Sequence, residues 1–523
     1  MSERSTFYAV GLGLLAAVVG LVCLQPEIPA TVFQNLSLFR VLLETGQLPE
    51  AEPFAFNEGR NPFPANEWGA GGVVYLFLVA SRWGEAGWLL LKLICLLAVG
   101  TGCYLQVLRN RVQFSVFAIH CCLALCLAFG FSIGQAGGGE LLGLVWLTGL
   151  LMLIDLLRQN QSRFSVRICL AALLLFGTWS NLHASVLIGL VLWLLAWFDI
   201  VCSSWQFKRS VSAAFGDGLP GMLVGCLAIL VCLLNPLGRE LFQSGASLLA
   251  NGTTHSFMMD PLWRSAPAMV QWTFIFSVLL AGYACWKSEQ WPVLESFGLA
   301  LLILSGLRTT DLAGLYLVVW LFWVPRLIAA TSLGRLLNRH FHRREQLLWR
   351  LGVIAAVLFL VVAMQTRLAS LPWQHSEHRQ GNQLQDEPKG HSRSARYPEG
   401  VVAFLRQEGF TGNLFVPSQL GSYLNWELYP QVRISSDSRG ASYFPDEVIQ
   451  EQQNFYQAIP SWRPVLDNPL HQAILIPLNE PIYAPLKLQV ERDPRLGWKQ
   501  IYQDRLFAVF ARSDQQLVQR SKK

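Results

Sequence analysis

Long apolar runs recur along the first two thirds of the chain and stop near residue 365. They fall near 7–24, 86–107, 113–133, 140–157, 166–179, 184–203, 219–234, 268–286, 293–305, 312–330 and 347–365. A straight helical span needs roughly 20 apolar residues, so the shorter runs have uncertain ends. The run 7–24 follows Arg4 and has no clean small-residue cleavage site after it, so it reads as a retained anchor. The apolar stretch 70–81 is too short to cross and reads as an interfacial or re-entrant helix. The pattern predicts a polytopic helical membrane protein of about eleven spans.

Polar intervals between the runs sort by charge. With the N-terminus in the cytoplasm, eleven crossings put Arg109, Arg111, Arg158, Arg163, Lys208, Arg209, Lys287 and the basic run from Arg335 to Arg344 inside. That is the positive-inside pattern, and counting 70–81 as a crossing would break it. The same register puts residues 25–69, 134–139, 180–183, 235–267, 306–311 and the tail outside. The unusual polar clusters sit in those outer intervals: Gln135 to Glu140, Asn181 with His183, Asn235 with Arg239 and Glu240, Asp260 with Arg264, and Arg308 with Asp311. Polar groups gathered on one face of a helical bundle point to a site at that membrane surface.

After residue 366 the pattern changes. Residues 367–396 are a linker rich in Gln, His, Ser and Arg with no apolar period. Residues 397–512 alternate short strands and helices: helices over 398–408, 418–427 and 445–458, strands over 413–416, 431–435 and 473–476, and a hairpin over 499–503 and 506–511. That order predicts a small α/β domain, followed by a polar tail, 513–523. The division is therefore a membrane domain, 1–366, with a large first outer loop, 25–69, then the linker, the α/β domain and the tail.

Composition agrees. The 523 residues are 53% hydrophobic and 14% charged, against about 25% charged in a soluble domain. The net charge of +6 is small, and the bases sit at loop ends rather than in a patch with aromatics, which excludes nucleic acid. All eleven cysteines lie in or beside apolar runs, so the tail has no disulfide framework. No CxxC or HxxxH spacing occurs among Cys and His. The 19 tryptophans fit interfacial belts.

The first outer loop holds Glu27, Glu44, Glu50, Glu52, Glu58 and Glu67 against Arg40 and Arg60. Its middle reads as a short helix, a stop at Gly46, then a loop punctuated by Pro49 and Pro53. Several stretches, taken in order, resemble the GT-C class of multi-spanning bacterial glycosyltransferases, specifically uncharacterised relatives with a soluble C-terminal domain. They are Arg40-Val41-Leu42-Leu43-Glu44-Thr45-Gly46-Gln47-Leu48-Pro49 with Glu52-Pro53-Phe54, then Asn66-Glu67-Trp68, Trp179-Ser180-Asn181-Leu182-His183 and Leu234-Asn235-Pro236-Leu237-Gly238. In the tail they are Tyr397-Pro398 with Phe404-Leu405, Gly421-Ser422-Tyr423-Leu424 and Ser436-Asp437-Ser438-Arg439.

The resemblance implies sugar transfer from a polyprenyl-phosphate donor to a glycan, lipid or protein acceptor at the outer face of a bacterial inner membrane. Membrane lipids surround the bundle. In such enzymes an acid of the first outer loop acts as general base or holds a metal. A carboxylate just above the bilayer suits removal of an acceptor proton, and a divalent cation suits the leaving phosphate. The family's usual aspartate after the first span falls at Thr31 and its histidine at Asn35. Glu52 stands for the aspartate before Pro-Phe, and Asn66 for the histidine before Glu-Trp. The same pattern therefore also fits a degenerate relative that keeps the fold for lipid binding or assembly. Candidate catalytic residues are Glu67 and Glu52. Candidate substrate-binding residues are His183, Asn181, Arg308, Arg239 and Asn66, the arginines by their match to phosphate. Asp437 and Arg439 read as a pair within the tail. A transporter would call for inverted halves with broken midplane helices, a pattern that fits the one-sided clusters less well.

Overall fold

A computed structural model describes residues 28–59, 67–110, 136–159, 165–242, 268–288, 291–308, 312–342, 397–440, 443–460 and 462–513. The expected spans at 7–24, 113–133 and 347–365 lie outside them. The described residues fall into two compact units. One runs from Leu76 to His342. The other joins residues 28–75 to the residues from Tyr397 onward.

The first unit is helical. After a π-helical turn, Leu76–Ala80, come α3 (Glu85–Arg109), α4 (Gly138–Gln159), α5 (Val166–Trp179), α6 (Val186–Lys208), α7 (Val211–Leu233), α8 (Ala268–Trp286), α9 (Val293–Arg308), α10 (Ala313–Ala330) and α11 (Ser332–His342); α1 and α2 belong to the second unit. Serine starts two of them: the Ser165 hydroxyl accepts from the Ile168 N–H and that of Ser210 from the Ala213 N–H. Five helices, α3, α4, α6, α7 and α10, are long and apolar enough to cross a membrane, and α5, α8 and α9 are shorter apolar helices. Among the five, α10 is the most buried; Val319, Trp320 and Val324 are sealed. Helices α5 and α7 present apolar faces outward: Val166, Leu170 and Leu174 on one, Phe215, Leu219, Leu223, Leu227 and Leu230 on the other. Apolar faces of that length suit hydrocarbon rather than water. Gly189 lets α6 close on Trp179, whose ring would lie 2.5 Å from an added Cβ. The Trp193 indole N–H donates to the Gly221 carbonyl of α7 at 3.0 Å.

The second unit opens with α1 (Ala30–Thr45), which ends at Gly46 in the left-handed conformation, φ 72°, its N–H on the Leu42 carbonyl. Helix α2 (Trp68–Tyr75) closes its first part. The tail contributes α12 (Glu399–Gln407), β1 (Gly412–Phe415), α13 (Ser418–Leu428), β2 (Val432–Ile434), α14 (Asp446–Tyr456), α15 (Pro464–Asp467), β3 (Ala473–Pro477), α16 (Tyr483–Arg492), β4 (Trp498–Gln503) and β5 (Phe507–Arg512). The sheet order is β2-β1-β3-β5-β4. Strands β1, β2 and β3 are parallel, and β5 runs antiparallel to both β3 and β4. Ala473 to Ile476 are all buried, as a central strand covered on both faces requires. The core packs Phe415, Phe455, Val465, Ile474, Ile476 and Phe510.

The loop after α1 also joins this sheet. Ala55 bridges Ile434 in parallel, with the Phe56 N–H on the Ile434 carbonyl at 3.0 Å and the Ile434 N–H on the Phe54 carbonyl at 3.1 Å. The free edge of β2 is thereby paired rather than exposed.

Candidate functional site

Two groups of polar residues hold the sequence candidates, one in each unit. In the second unit the geometry builds on Glu52. Its Oε1 accepts the N–H groups of Phe54 (2.7 Å) and Ala55 (2.9 Å), which fixes the turn after Pro53. Its Oε2 accepts Arg439 Nη2 at 2.7 Å. Arg439 is also held by Asp437, through Nε at 2.8 Å and Nη2 at 2.6 Å. Its guanidinium carbon lies 4.0 Å from the centre of the Tyr443 ring. Burial alone would lower the arginine's pKa. The adjacent carboxylates of Asp437 and Glu52 outweigh burial and hold it above its ordinary value. Burial and the Glu52 charge push the Tyr443 hydroxyl up.

Helix α1 reaches the same tail residues. Ser438 Oγ donates to Gln34 Oε1 at 3.1 Å and pairs with Ser422 Oγ at 2.6 Å. Arg40 donates to the Tyr429 carbonyl at 3.1 Å, and the Tyr397 hydroxyl to the Ile28 carbonyl at 2.7 Å. Phe33 packs edge-on against both Tyr397 and Tyr423. Gly421 lets α13 close on the segment after β2, because an added Cβ would lie 2.1 Å from the Ser436 carbonyl oxygen. Thr31 and Asn35 stand one turn apart on α1, and Thr31 Oγ1 and Asn35 Nδ2 have no hydrogen-bond partner among the described residues. Glu67, half-buried, precedes α2, and its carbonyl accepts the Gly71 N–H.

In the first unit the linked ends of α5, α6 and α7 gather the other candidates. Asn235 Nδ2 donates to the Ser180 carbonyl (2.6 Å) and to Asn181 Oδ1 (3.2 Å). Asn181 Nδ2 donates to the Gly177 carbonyl at 2.8 Å. His183 Nδ1 accepts the Ser185 N–H at 3.1 Å, which assigns the ring proton of the neutral imidazole to Nε2. Ser185 Oγ lies 2.8 Å from the same nitrogen and takes the Trp179 indole N–H at 3.1 Å. Gly143 of α4 brings that helix against Ser185 and His183. Arg239 is exposed in the turns after α7. The Arg308 side chain and Asn66 lie outside the described residues. The structure thus brings Asn181 together with Asn235, and Glu52 together with Arg439.

A third cluster escaped the reading of the sequence. In the first unit Arg158 bonds Glu295 and lies 3.2 Å from Asp199. Arg326 bonds Glu295 and lies 3.4 Å from Asp155, which is 3.9 Å from Arg109. Acids inside apolar runs, with Asp155 and Arg158 three apart on one face, were the available signal.

The donor set around Glu52 does not suit a metal ion. Its carboxylate is committed to an arginine and two N–H groups, and Thr31 and Asn35 are neutral. Among the described residues no group of three or more His, Cys, Asp or Glu side chains could hold a metal ion.

No family model and no curated protein matches the chain. Among solved structures it is similar to the crystal structure of the Archaeoglobus fulgidus oligosaccharyltransferase tethered through a disulfide bond to an acceptor peptide containing the NVT sequon. The TM-score is 0.52 at 11% identity, over 98% of this chain and 74% of that one. At that identity the likeness shows a shared fold.

Proposed function

We propose that the protein is a membrane glycosyltransferase that moves a sugar from a polyprenyl-phosphate donor to an acceptor at the outer face of a bacterial inner membrane. The observation that carries this reading is the likeness of fold to an oligosaccharyltransferase over 98% of the chain. In this reading the N-terminus is cytoplasmic and the tail domain outside. The donor's lipid lies in the bilayer, so its anomeric carbon waits at headgroup level. Glu67, at the start of α2, takes the acceptor's proton. Glu52, held by Arg439, fixes the loop that leads there. His183, Asn181, Arg308 and Arg239 are the candidates for binding the donor's phosphate, the arginines by their charge and geometry.

One observation favours a second reading, a relative that keeps the fold for binding or assembly without transfer. The positions where the family carries its acid and histidine hold Thr31 and Asn35, and Glu52 is spent on a buried ion pair. Incorporation of labelled sugar from mixed polyprenyl-phosphate donors, in membranes holding wild type or Glu67→Gln, separates the two. The transferase reading expects transfer in the wild type and a loss of at least a hundredfold in the variant, in the range of removing a general base. Transfer unchanged in the variant moves the base elsewhere. No transfer by folded wild type supports the binding protein.

A further inference from the structure

The tail domain carries a crevice that neither the ion pairs nor the loop contacts use. Strand β1 lies between β2 and β3 in the parallel half of the sheet. The chain leaves β1 through α13 to reach β2 on one side, then returns through α14 and α15 to β3 on the other. Such a reversal of direction opens a crevice at the carboxyl ends of the strands, the usual ligand position in sheets of this kind. A cavity of about 110 Å³ lies there, lined by Ser418, Gln419, Gln453, Gln457 and Glu480 among others. At roughly 10–15 Å³ of such space per water molecule, it has room for a single sugar ring rather than an isolated solvent site.

Its floor is polar and closed. Gln452 Nε2 shares its two N–H groups among the Val416 carbonyl (3.0 Å), Ser435 Oγ (2.8 Å) and Ser436 Oγ (2.7 Å), and its Oε1 accepts the Ser418 hydroxyl at 2.6 Å. A satisfied network of this kind holds its members in one geometry. The rim is adaptable: Gln419 and Gln457 are exposed, and Gln453 and Glu480 half-buried. Each amide offers two donors and an acceptor, matching hydroxyls that both donate and accept.

The lining also says what the crevice rejects. No Lys, Arg or His lines it, and Glu480 would repel an anion. Pro417 caps α13, so the helix end lacks one of the N–H groups with which phosphate is usually cradled. Pro417, Ile449 and Tyr456 supply its apolar surface, but a cavity of about 110 Å³ is too small for a lipid chain. A peptide would seek a sheet edge or an apolar groove, whereas this crevice lies at strand ends and the β2 edge is already paired with Ala55.

We propose that this crevice is a carbohydrate-binding site that takes a neutral, polyhydroxylated sugar residue through Ser418, Gln419, Gln453, Gln457 and Glu480. Burial raises the Glu480 carboxyl above its ordinary value, in keeping with a pocket that favours neutral groups. Such binding is separate from transfer and would occur in an active enzyme and an inactive relative alike.

The test uses the full chain in nanodiscs, free of glycoside detergents, with saturation-transfer NMR. Probes are maltotetraose, chitotetraose, inorganic phosphate and a serine-containing hexapeptide. The expected result is binding of at least one tetrasaccharide but not of phosphate or peptide. A Gln453→Leu, Gln457→Leu double variant weakens that binding at least fivefold with an unchanged thermal midpoint. Gln457→Leu alone, at an exposed position, repeats the comparison should the double variant unfold. Absence of saccharide binding by the wild type, an unchanged Kd in the variants, or binding of the peptide or phosphate in place of the saccharides overturns the assignment.

Discussion

Arg439 is buried between two carboxylates, so its neighbours set the cost of changing it. Arg439→Ala leaves Asp437 and Glu52 buried without their cation. Breaking a buried pair from one side costs about 3–5 kcal/mol, and thermal unfolding in nanodiscs should fall accordingly. Arg439→Lys keeps the charge but loses the fork that spans both carboxylates, so it recovers only part of the loss; full recovery would show that charge alone matters. His471 makes a second, pH-dependent contribution. Its Nδ1 lies 2.8 Å from the Val465 carbonyl and must carry the proton, while Nε2 faces the Asn468 amide at 3.4 Å. Burial, and then Arg512, hold the imidazole pKa below its ordinary value. The unfolded chain therefore binds the proton first as pH falls. Stability from this group is fully present above the unfolded pKa of about 6.5 and is lost as pH falls through the depressed folded value. Thermal midpoints of wild type and His471→Gln, taken from pH 7.5 down to 5.5, should converge as the wild type loses this contribution. Parallel lines would remove His471 from the account. At this scale Glu52 was legible as a candidate from its place before Pro53, but its partner was not. The two are 387 positions apart, and no local spacing encodes a pairing of that range.

Among the helices, the ion network of the first unit ties α3, α4, α6, α9 and α10 through charges that apolar packing cannot replace one at a time. Glu295 is the hub, fully buried and bonded to both Arg158 and Arg326. Glu295→Ala leaves Arg158 with Asp199 alone and Arg326 with Asp155 alone, and is expected to lower stability by roughly 3–5 kcal/mol. Asp199→Asn removes a looser 3.2 Å contact beside an acid that Arg158 still has in Glu295, so its effect should be the smaller. Thermal unfolding of the two variants in one lipid settles the order, and the reverse order would displace Glu295 as the hub. Among the described residues, most helices and the five strands were readable from apolar period and turn residues, with ends differing by a few residues. The start of α7 at Val211, ahead of the expected 219, shows why: Asp217 weakens the apolar pattern there, yet it is held by Lys208 and Ser204. Helix α16 was missed because Leu486 is its one fully buried residue, which leaves no apolar stripe to read. Helix α15 is four residues long and too short to show a period.

At the scale of the whole molecule, the large loop and the tail domain belong to one compact unit although more than 300 residues separate them in sequence. Composition could not show this, because it divides the chain at residue 366 and assigns the loop to the membrane portion by adjacency. What joins loop and tail is pairing rather than composition: a parallel bridge at Ala55 and Ile434, the Asn57 amide on the Ser435 carbonyl at 2.9 Å, and the Glu52–Arg439 ion pair. If these contacts act as one cooperative element, their backbone bonds open together. Hydrogen exchange on the full chain tests that directly. In wild type the Phe56 and Ile434 amides, which bond across the bridge, should share one opening free energy. Arg439→Ala should lower both by the same amount while leaving the Leu475 amide, in the middle of β3, at its wild-type protection. Loss at Phe56 with Ile434 unchanged would mean that the loop merely rests on the domain. Equal loss at Phe56, Ile434 and Leu475 would mean that Arg439 stabilises the tail as a whole. Only the paired loss makes the loop an extra strand of the tail's sheet, held there by the arginine between its two acids.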